Sequence, residues 1–523
     1  MFGRSAMANG PNPTFGIRPE LTTVVFRTDA SREIGAGHVM RCLAFAKVLS
    51  DLDCRCVFAV SHESLETVPA LQQSAYDVQT VDDTTENALE TLGRFPDPVD
   101  WLIFDHYGID ATSETRYRSR SRNIMVIDDL ANRPHDCDIL LDQGPGRLAD
   151  DYAGLVPEKA LVLAGSAFAL LDPVFANYRD SQALTPQETP TGIFISFGAT
   201  DPHDFTTRAL DALAGSGVPG NVNAVLGAVA LHRGNVLRGI KTMNGNARLH
   251  IDSNEILGLL AESYFAMGAG GVSALERCCC GVPSLIAITA DNQRAAAAGL
   301  AAAGAAQVFD LDNVATASNV IREFVSDVEH MSRISSAGRR LCDGRGARRA
   351  AMFVVPEASS KGEKICLRPA TLDDENIILT WQKFPGARRY ARNPEIPDKE
   401  THAAWMRSTL ENPDILLNVI ECEGDASGVL RLDRRTGRGK LPAFEVSLLI
   451  APDRHRTGLG KAALTLARRL LPDVVLLADI HRENAASLAL FLGAGYVEDG
   501  NEFASWPNAP HTVASVVSDN TNA

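Results

Sequence analysis

The chain has no run of about 18 uninterrupted apolar residues, the least that spans a bilayer as a helix. Its opening stretch, MFGRSAMANGPNPTFG, has no apolar core of the kind a secretory signal needs. Both absences predict a cytoplasmic protein with no membrane partner. A surplus of positive charge is also missing: 50 Lys and Arg stand against 65 Asp and Glu, for a net charge of −15. Nucleic-acid binding needs surplus cations to neutralise phosphates, so it is excluded as a general function, and any acidic ligand has to be held locally. The ten cysteines follow no disulfide-framework or zinc-site spacing. Cys54 and Cys56 alternate along the strand-like CRCVFAV, while Cys278, Cys279 and Cys280 are adjacent at the end of an apolar helix, so all read as buried thiols of a reducing compartment, with no metal site.

What is present belongs to a globular protein. With 45% hydrophobic and 22% charged residues, disorder of the whole chain is excluded. Its 523 residues provide for about three domains at roughly 100–200 residues each. In a first domain, 22–183, the strand-like runs TTVVFRTDA, CRCVFAV, DWLIFDH, NIMVIDD and DILLDQ alternate with helical segments such as HVMRCLAFAKVLSDL, the pattern of a parallel sheet covered by helices. The polar, proline-bearing DSQALTPQETPTG interrupts it. IFISFG, NVNAVLG, ARLHIDS, YFAMGAGG and PSLIAIT then restart the alternation in a second domain, 190–353. PEASSKGEK (356–364) reads as a linker to a third domain, 363–506, built of a strand and helix, a β-meander and a strand-loop-helix unit. The tails 1–21 and 507–523 are polar and are expected to be disordered.

Ligands of open α/β sheets bind beyond the carboxyl ends of the strands. TTVVF is followed by Arg27, Thr28 and Asp29, and then by the loop Gly35-Ala36-Gly37, with His38 opening a helix. The positive end of a helix favours the neutral, proton-accepting form of a histidine, which makes His38 a candidate base. DWLIF is followed by Asp105, His106 and Tyr107, and IMVI by Asp128 and Asp129. A capping or turn role explains Asp129 well and leaves Asp128 open. In the second domain Gly198 ends one strand, and Gly268-Ala269-Gly270-Gly271 ends another before the helix VSALERC. Such loops bring backbone N–H groups to a diphosphate without lysines. Glu276 lies about one turn into that helix, where its carboxylate would accept from both ribose hydroxyls.

GAGGVSALERCCCGVP, with ADNQ downstream, resembles the donor-nucleotide half of GT-B glycosyltransferases such as the cell-wall N-acetylglucosaminyltransferase. FRTDASREIGAGHVMRCLAFA, FDHYG, VIDDLANRPHDCDILLDQ and SFGATDP resemble a narrower family, the UDP-2,4-diacetamido-2,4,6-trideoxy-β-L-altropyranose hydrolases of pseudaminic (nonulosonic) acid biosynthesis, over residues 22–350. The resemblance implies an α/β protein with two Rossmann-like domains in a GT-B arrangement. It also implies metal-free attack of water on the anomeric carbon, with C–O cleavage, inversion and UDP as leaving group. His38 then orients or deprotonates the water, and Asp105 and Tyr107 line the sugar pocket as its catalytic neighbours. Arg27, Asp29, Gly37, Gly198, Gly270, Gly271, Ser273, Glu276, Asn292 and Gln293 bind the UDP-sugar. One departure is Asp172-Pro173, where the family tends to place a basic residue before proline.

In the third domain APDRHRTGLGKAAL follows the strand FEVSLLI and opens a helix, so that Thr457, Gly458, Leu459 and Gly460 turn N–H groups towards a pyrophosphate. No GxxxxGK[ST] is present, which excludes a P-loop. Downstream stand Asn484-Ala485-Ala486-Ser487, Phe491 and Gly495-Tyr496. The pair resembles motifs A and B of the GCN5-related N-acetyltransferases (GNAT), and CLRPAT, TWQKF, ARNPEI and THAAW resemble its sugar-amine branch. That implies an α+β domain that acetylates the 4-amino group of a UDP-sugar. Acetyl-CoA would be held by Arg454, Arg456, Thr457, Gly458, Leu459, Gly460, Lys461 and Asn484. Glu445, Ser447 and His481 are candidate bases or ordinary solvated residues. Two positions depart from the family: His455 replaces the usual Gln or Arg of the pyrophosphate loop, and Phe491 replaces the tyrosine that protonates the departing thiolate. The expected whole is a fusion enzyme for two consecutive steps on UDP-amino-sugars, its oligomeric state open. The alternatives are a GT-B glycosyltransferase, in which His38 deprotonates an acceptor alcohol, and a third domain reduced to a binding module.

Overall fold

The structure, a computed structural model, describes residues 21–81, 98–182, 190–243 and 246–507. All but the innermost residue of each expected tail, and residues 183–189 of the proline-bearing segment, lie outside the described residues.

The first sheet comprises β1 (Thr23–Thr28), β2 (Arg55–Val60), β3 (Asp77–Thr80), β4 (Val99–Asp105), β5 (Ser121–Ile127), β6 (Ile139–Asp142) and β7 (Leu161–Ala164). They lie in the order β3-β2-β1-β4-β5-β6-β7, and every pairing is parallel. β1 is buried along its whole length because helices cover both faces. Its alternate residues feed two cores. Val24 and Phe26 pack with Phe45 and Leu49 of the helix Gly37–Ser50, and Val25 packs with Leu102 and Phe104 on the other face.

The second sheet repeats this plan with β8 (Gly192–Ser196), β9 (Asn221–Leu226), β10 (Ala247–Ile251), β11 (Ser263–Ala269), β12 (Ser284–Ala287) and β13 (Gln307–Val308), in the order β10-β9-β8-β11-β12-β13. Both sheets reverse their direction of growth beside their first strand, and each reversal opens a crevice at the carboxyl ends of the strands. The fold is α/β, two Rossmann-like units in a GT-B arrangement. Where they meet, Gly299 backs onto Pro145 so closely that a Cβ there would clash with the Pro145 carbonyl oxygen. The helix Gly346–Val354 follows the second sheet in sequence but belongs to the first core, through Ala347, Ala350, Ala351 and Val354.

The third sheet comprises β14 (Glu357–Ala358), β15 (Lys364–Pro369), β16 (Ile415–Cys422), β17 (Asp425–Arg438), β18 (Leu441–Ile450), β19 (Val475–Ala478), β20 (Val497–Asp499) and β21 (Glu502–Ser505). It runs β14-β15-β16-β17-β18-β19-β21-β20. Its pairings are antiparallel except β18 with β19, which pair parallel over Ala443–Glu445. Beyond Glu445, β18 continues beside β17 alone, so the two strands part there. The segment 356–364 is not the free linker its composition predicts. β14 pairs with β15 across it, and Arg469 bonds the Val355 carbonyl and the Glu357 carboxylate. Backbone pairing to the sheet overrides the polar composition. The third unit is docked further by Asp180, which accepts from Arg345 at 2.5 and 2.7 Å and from Arg434 at 2.7 Å, with both guanidinium groups over the Phe444 ring. All ten cysteines are buried and free. Among the described residues no helix is long and apolar enough to cross a membrane, and no group of three or more His, Cys, Asp or Glu side chains is placed to hold a metal ion.

Candidate active sites

His38 is the second residue of the helix Gly37–Ser50, at the carboxyl end of β1, and its Nδ1 is hydrogen-bonded to Asp105 Oδ1 at the end of β4. β1 and β4 are neighbours across the switch point, which brings the two residues together. Asp105 is 0% exposed, and burial alone would raise its pKa. The Arg41 guanidinium and His38 overcome that and hold it well below the usual carboxylate range. An ionised Asp105 only accepts, so a proton on Nδ1 of His38 completes this pair and leaves Nε2 free, and Arg41 Nη2 lies 3.1 Å from the same Nδ1. Fully buried, Asp105 is not placed to line a pocket, as the resemblance implies; it lies behind His38 and bonds its Nδ1.

Tyr107 stands edge-on to His38, with ring centroids 4.5 Å apart. Its hydroxyl donates to Asp129 Oδ1 at 3.1 Å and accepts from Asn292 Nδ2, of the second unit, at 2.9 Å. Burial and the Asp129 charge push this phenol well above its ordinary range. The capping role assigned to Asp129 falls instead to Asp128, which accepts from the Leu130 and Ala131 N–H groups. Asp129 is engaged by Arg41 and Tyr107. Arg27 and Asp29 are buried and paired at 2.7 Å, with His106 3.2 Å from Asp29. Burial would raise Asp29, but His106, Arg27 and the Ser61 N–H keep it ionised to well below the ordinary range.

In the second unit Gly198 follows β8, and a Cβ on it would meet nothing within 4 Å. Gly270 and Gly271 lead into the helix Val272–Cys280, and the buried Arg277 braces that loop through the Ala269 carbonyl and Ser273 Oγ. Glu276 has no hydrogen-bond partner among the described residues, and burial pushes its carboxyl up to about 7. Gln293 accepts from Thr289 Oγ1. Asp172, the departure from the family pattern, caps the helix Pro173–Ser181 and pairs with Lys47.

In the third unit Gly458 has φ +90° and caps the helix Leu459–Leu470. A Cβ there would fall 2.9 Å from the Ser360 nitrogen. Ser360 also donates to the Thr457 carbonyl, so the β14–β15 turn supports the loop from behind. Arg456 and Lys461 are exposed, and Arg454 is half-buried. His455 sits 3.2 Å from the Ile450 carbonyl. Asn484 caps the helix Ala485–Gly493 through Ser487 N–H, so its side-chain oxygen has a structural use.

Glu445 is buried where β18 and β19 part, and each carboxylate oxygen is paired at 2.7 Å, with Arg392 and with Arg435. Ser447 and His481 are exposed, the latter against Tyr390. Phe491 is in the core against Tyr496. Arg41, Arg392 and Asp479, which Arg392 also bonds, were not singled out in the sequence. For Arg41 a signal was available: it stands three residues after His38, on the same helical face.

Residues 364–497 match the acetyltransferase (GNAT) domain family. The UDP-2,4-diacetamido-2,4,6-trideoxy-beta-L-altropyranose hydrolase of Campylobacter jejuni is 29% identical over 243 residues, 46% of this chain and 82% of the relative. The spore coat polysaccharide biosynthesis protein SpsG of Bacillus subtilis is 24% identical over 334 residues, 61% and 93% of the two chains. A crystal structure of Acinetobacter baumannii MurG has 13% identity and a TM-score of 0.47, covering 64% of this chain and 99% of that one. The chain thus carries a GNAT acetyltransferase domain behind two Rossmann-like units similar in sequence to a nucleotide-sugar hydrolase and to a polysaccharide-biosynthesis protein.

Proposed function

We propose that this is a cytoplasmic enzyme of two consecutive activities in pseudaminic acid biosynthesis. Its GNAT unit acetylates the 4-amino group of a UDP-amino-sugar, and the cleft between the first two units hydrolyses the resulting UDP-2,4-diacetamido-2,4,6-trideoxy-β-L-altropyranose to the free sugar and UDP. The observation that carries the reading is the His38–Asp105 pair, with Tyr107 beside it and bonded to Asn292 of the second unit. Nε2 of His38 takes a proton from water as the oxygen attacks the anomeric carbon on the face opposite UDP. The C–O bond to UDP breaks with inversion. N–H groups around Gly198, Gly270 and Gly271 stabilise the charge growing on the phosphate oxygen, while Glu276 accepts from the ribose hydroxyls.

In the GNAT unit, acetyl-CoA lies along the parting of β18 and β19, with its pyrophosphate on the N–H groups of Thr457–Lys461 and Arg454 and Arg456 alongside. The sugar amine attacks the thioester carbonyl and CoA leaves as thiolate. Glu445, Ser447 and His481 are the groups proposed to handle the amine proton.

The test is incubation of the full chain with UDP-4-amino-4,6-dideoxy-N-acetyl-β-L-altrosamine, with and without acetyl-CoA, in 18O-labelled water. Acetyl-CoA should be required for a diacetamido UDP-sugar to form, and the sugar then freed should carry the label on its anomeric oxygen. UDP released only when an acceptor sugar is supplied, with no label, would replace hydrolysis by glycosyl transfer.

A further inference from the structure

Arg41 is 3% exposed, one turn along the helix from His38. Its Nε donates to Asp105 Oδ2 and its Nη2 to Asp105 Oδ1, both at 2.6 Å, its Nη1 donates to Asp129 Oδ2 at 3.0 Å, and the same Nη2 lies 3.1 Å from His38 Nδ1. One buried guanidinium thus holds the carboxylate that holds His38, and also the carboxylate that receives the Tyr107 hydroxyl. Burying such a cluster costs desolvation, and apolar residues of equal volume usually stabilise a core as well or better. Stability alone does not account for it.

We infer that Arg41 is the positioning residue of the hydrolytic site: its fork fixes both oxygens of Asp105, so that Nδ1–H of His38 is bound in one direction and Nε2 faces the water, and through Asp129 it sets the Tyr107 hydroxyl in the same act. The inference rests on the hydrolase reading of the cleft. The geometry of the fork is what matters, because lysine supplies a point charge without two parallel donors, and methionine supplies neither. The groups facing the dyad are Arg41 and Cys42 from its own helix, Thr28 from β1, Tyr107 from the loop after β4 and Asp129 from the loop after β5. Arg41 balances the single negative charge of the dyad in its active form, neutral His38 with ionised Asp105. Without that cation the dyad takes up a proton more readily, whichever residue receives it, and the acid limb of the rate profile moves to higher pH.

The experiment measures kcat and KM for UDP release against pH in the full chain for wild type, Arg41→Met and Arg41→Lys. In parallel, 15N-labelled histidine spectra report the tautomer of His38, whose signal is identified by its loss in His38→Asn. Arg41→Met should lower kcat by about 100-fold or more with KM within about threefold, and move the acid limb up by about one pH unit. Arg41→Lys should leave the limb in place and still lose about tenfold or more in kcat. His38 should be Nδ1-protonated in wild type and a mixture of tautomers in both variants.

An unmoved limb in Arg41→Met, with activity falling only in step with the folded fraction, would overturn the inference. Should Arg41→Met fail to fold, Arg41→Lys decides: kcat within about twofold of wild type, or an unchanged His38 tautomer, overturns it. If wild type releases no UDP from the diacetamido sugar, the hydrolase reading fails, while the His38 tautomer in Arg41→Lys still tests the positioning by itself.

Discussion

Asn292, in the second unit, donates a 2.9 Å hydrogen bond to the hydroxyl of Tyr107, in the first. The bond crosses the cleft and joins the second unit to the group packed edge-on against His38. Asn292→Ala should lower kcat/KM for UDP release by about five- to tenfold, the worth of one hydrogen bond of roughly 1 kcal/mol, and should leave acetyl transfer unchanged. Steady-state kinetics of both reactions on the same preparation check this.

His38→Ala should abolish UDP release while acetyl-CoA turnover continues, since the two sites lie on different sheets. General-base assistance is worth about 10²–10⁴-fold, so a loss below about tenfold would remove His38 from the proposed mechanism. His38→Asn keeps a hydrogen-bonding side chain without the basicity and should fail as badly.

Glu276 gives a pH prediction with a definite sign. Its carboxyl is raised in the folded protein to about 7 from an ordinary 4.5. The contribution of this group to stability is therefore complete below the unfolded value and is lost as pH rises through the folded one. Glu276→Gln should melt increasingly above wild type between about pH 5 and pH 8, and thermal unfolding at the two ends of that window measures it. The ionised form is the better acceptor for ribose, so KM for the UDP-sugar should fall as pH passes about 7 in wild type and stay flat in the variant.

Asp180 is buried between two arginines, Arg345 and Arg434. Asp180→Ala leaves both cations without their shared partner, and removal of one member of a buried ion pair typically costs about 3–5 kcal/mol. The variant should unfold at lower denaturant, and limited proteolysis should separate the GNAT unit from the rest. A midpoint within error of wild type would mean that the knot contributes nothing to docking.

Gly458→Val sets a branched side chain at φ +90° with its Cβ against the Ser360 nitrogen. The loop has to move, and acetyl-CoA binding measured by calorimetry should be lost, while UDP release persists. Undiminished binding would displace the proposed pyrophosphate site.

The alternation of strand-like runs such as TTVVF with helical segments, and the glycines that end IFISFG and YFAMGAGG, made the two parallel sheets and their strand-end loops legible in the sequence, because the apolar pattern of a single strand or helix is a local property. Partnership is not. His38 meets Asp105 across 67 positions and Asn292 meets Tyr107 across 185. Nothing in the local pattern told Asp105, fully buried behind the histidine, from a residue lining the sugar pocket, or Asp129, bound to Arg41, from its neighbour Asp128, which takes the turn. The same holds for 356–364, whose polar composition predicts a linker until the edge of the third sheet is there to pair with it, and for Glu445, exposed or buried according to where Arg392 and Arg435 fold. Composition and periodicity determined which elements form and which end of each carries polar chemistry. Only the packed structure decided which charges share a site, because the free energy of a buried charge depends on the neighbours that replace its water.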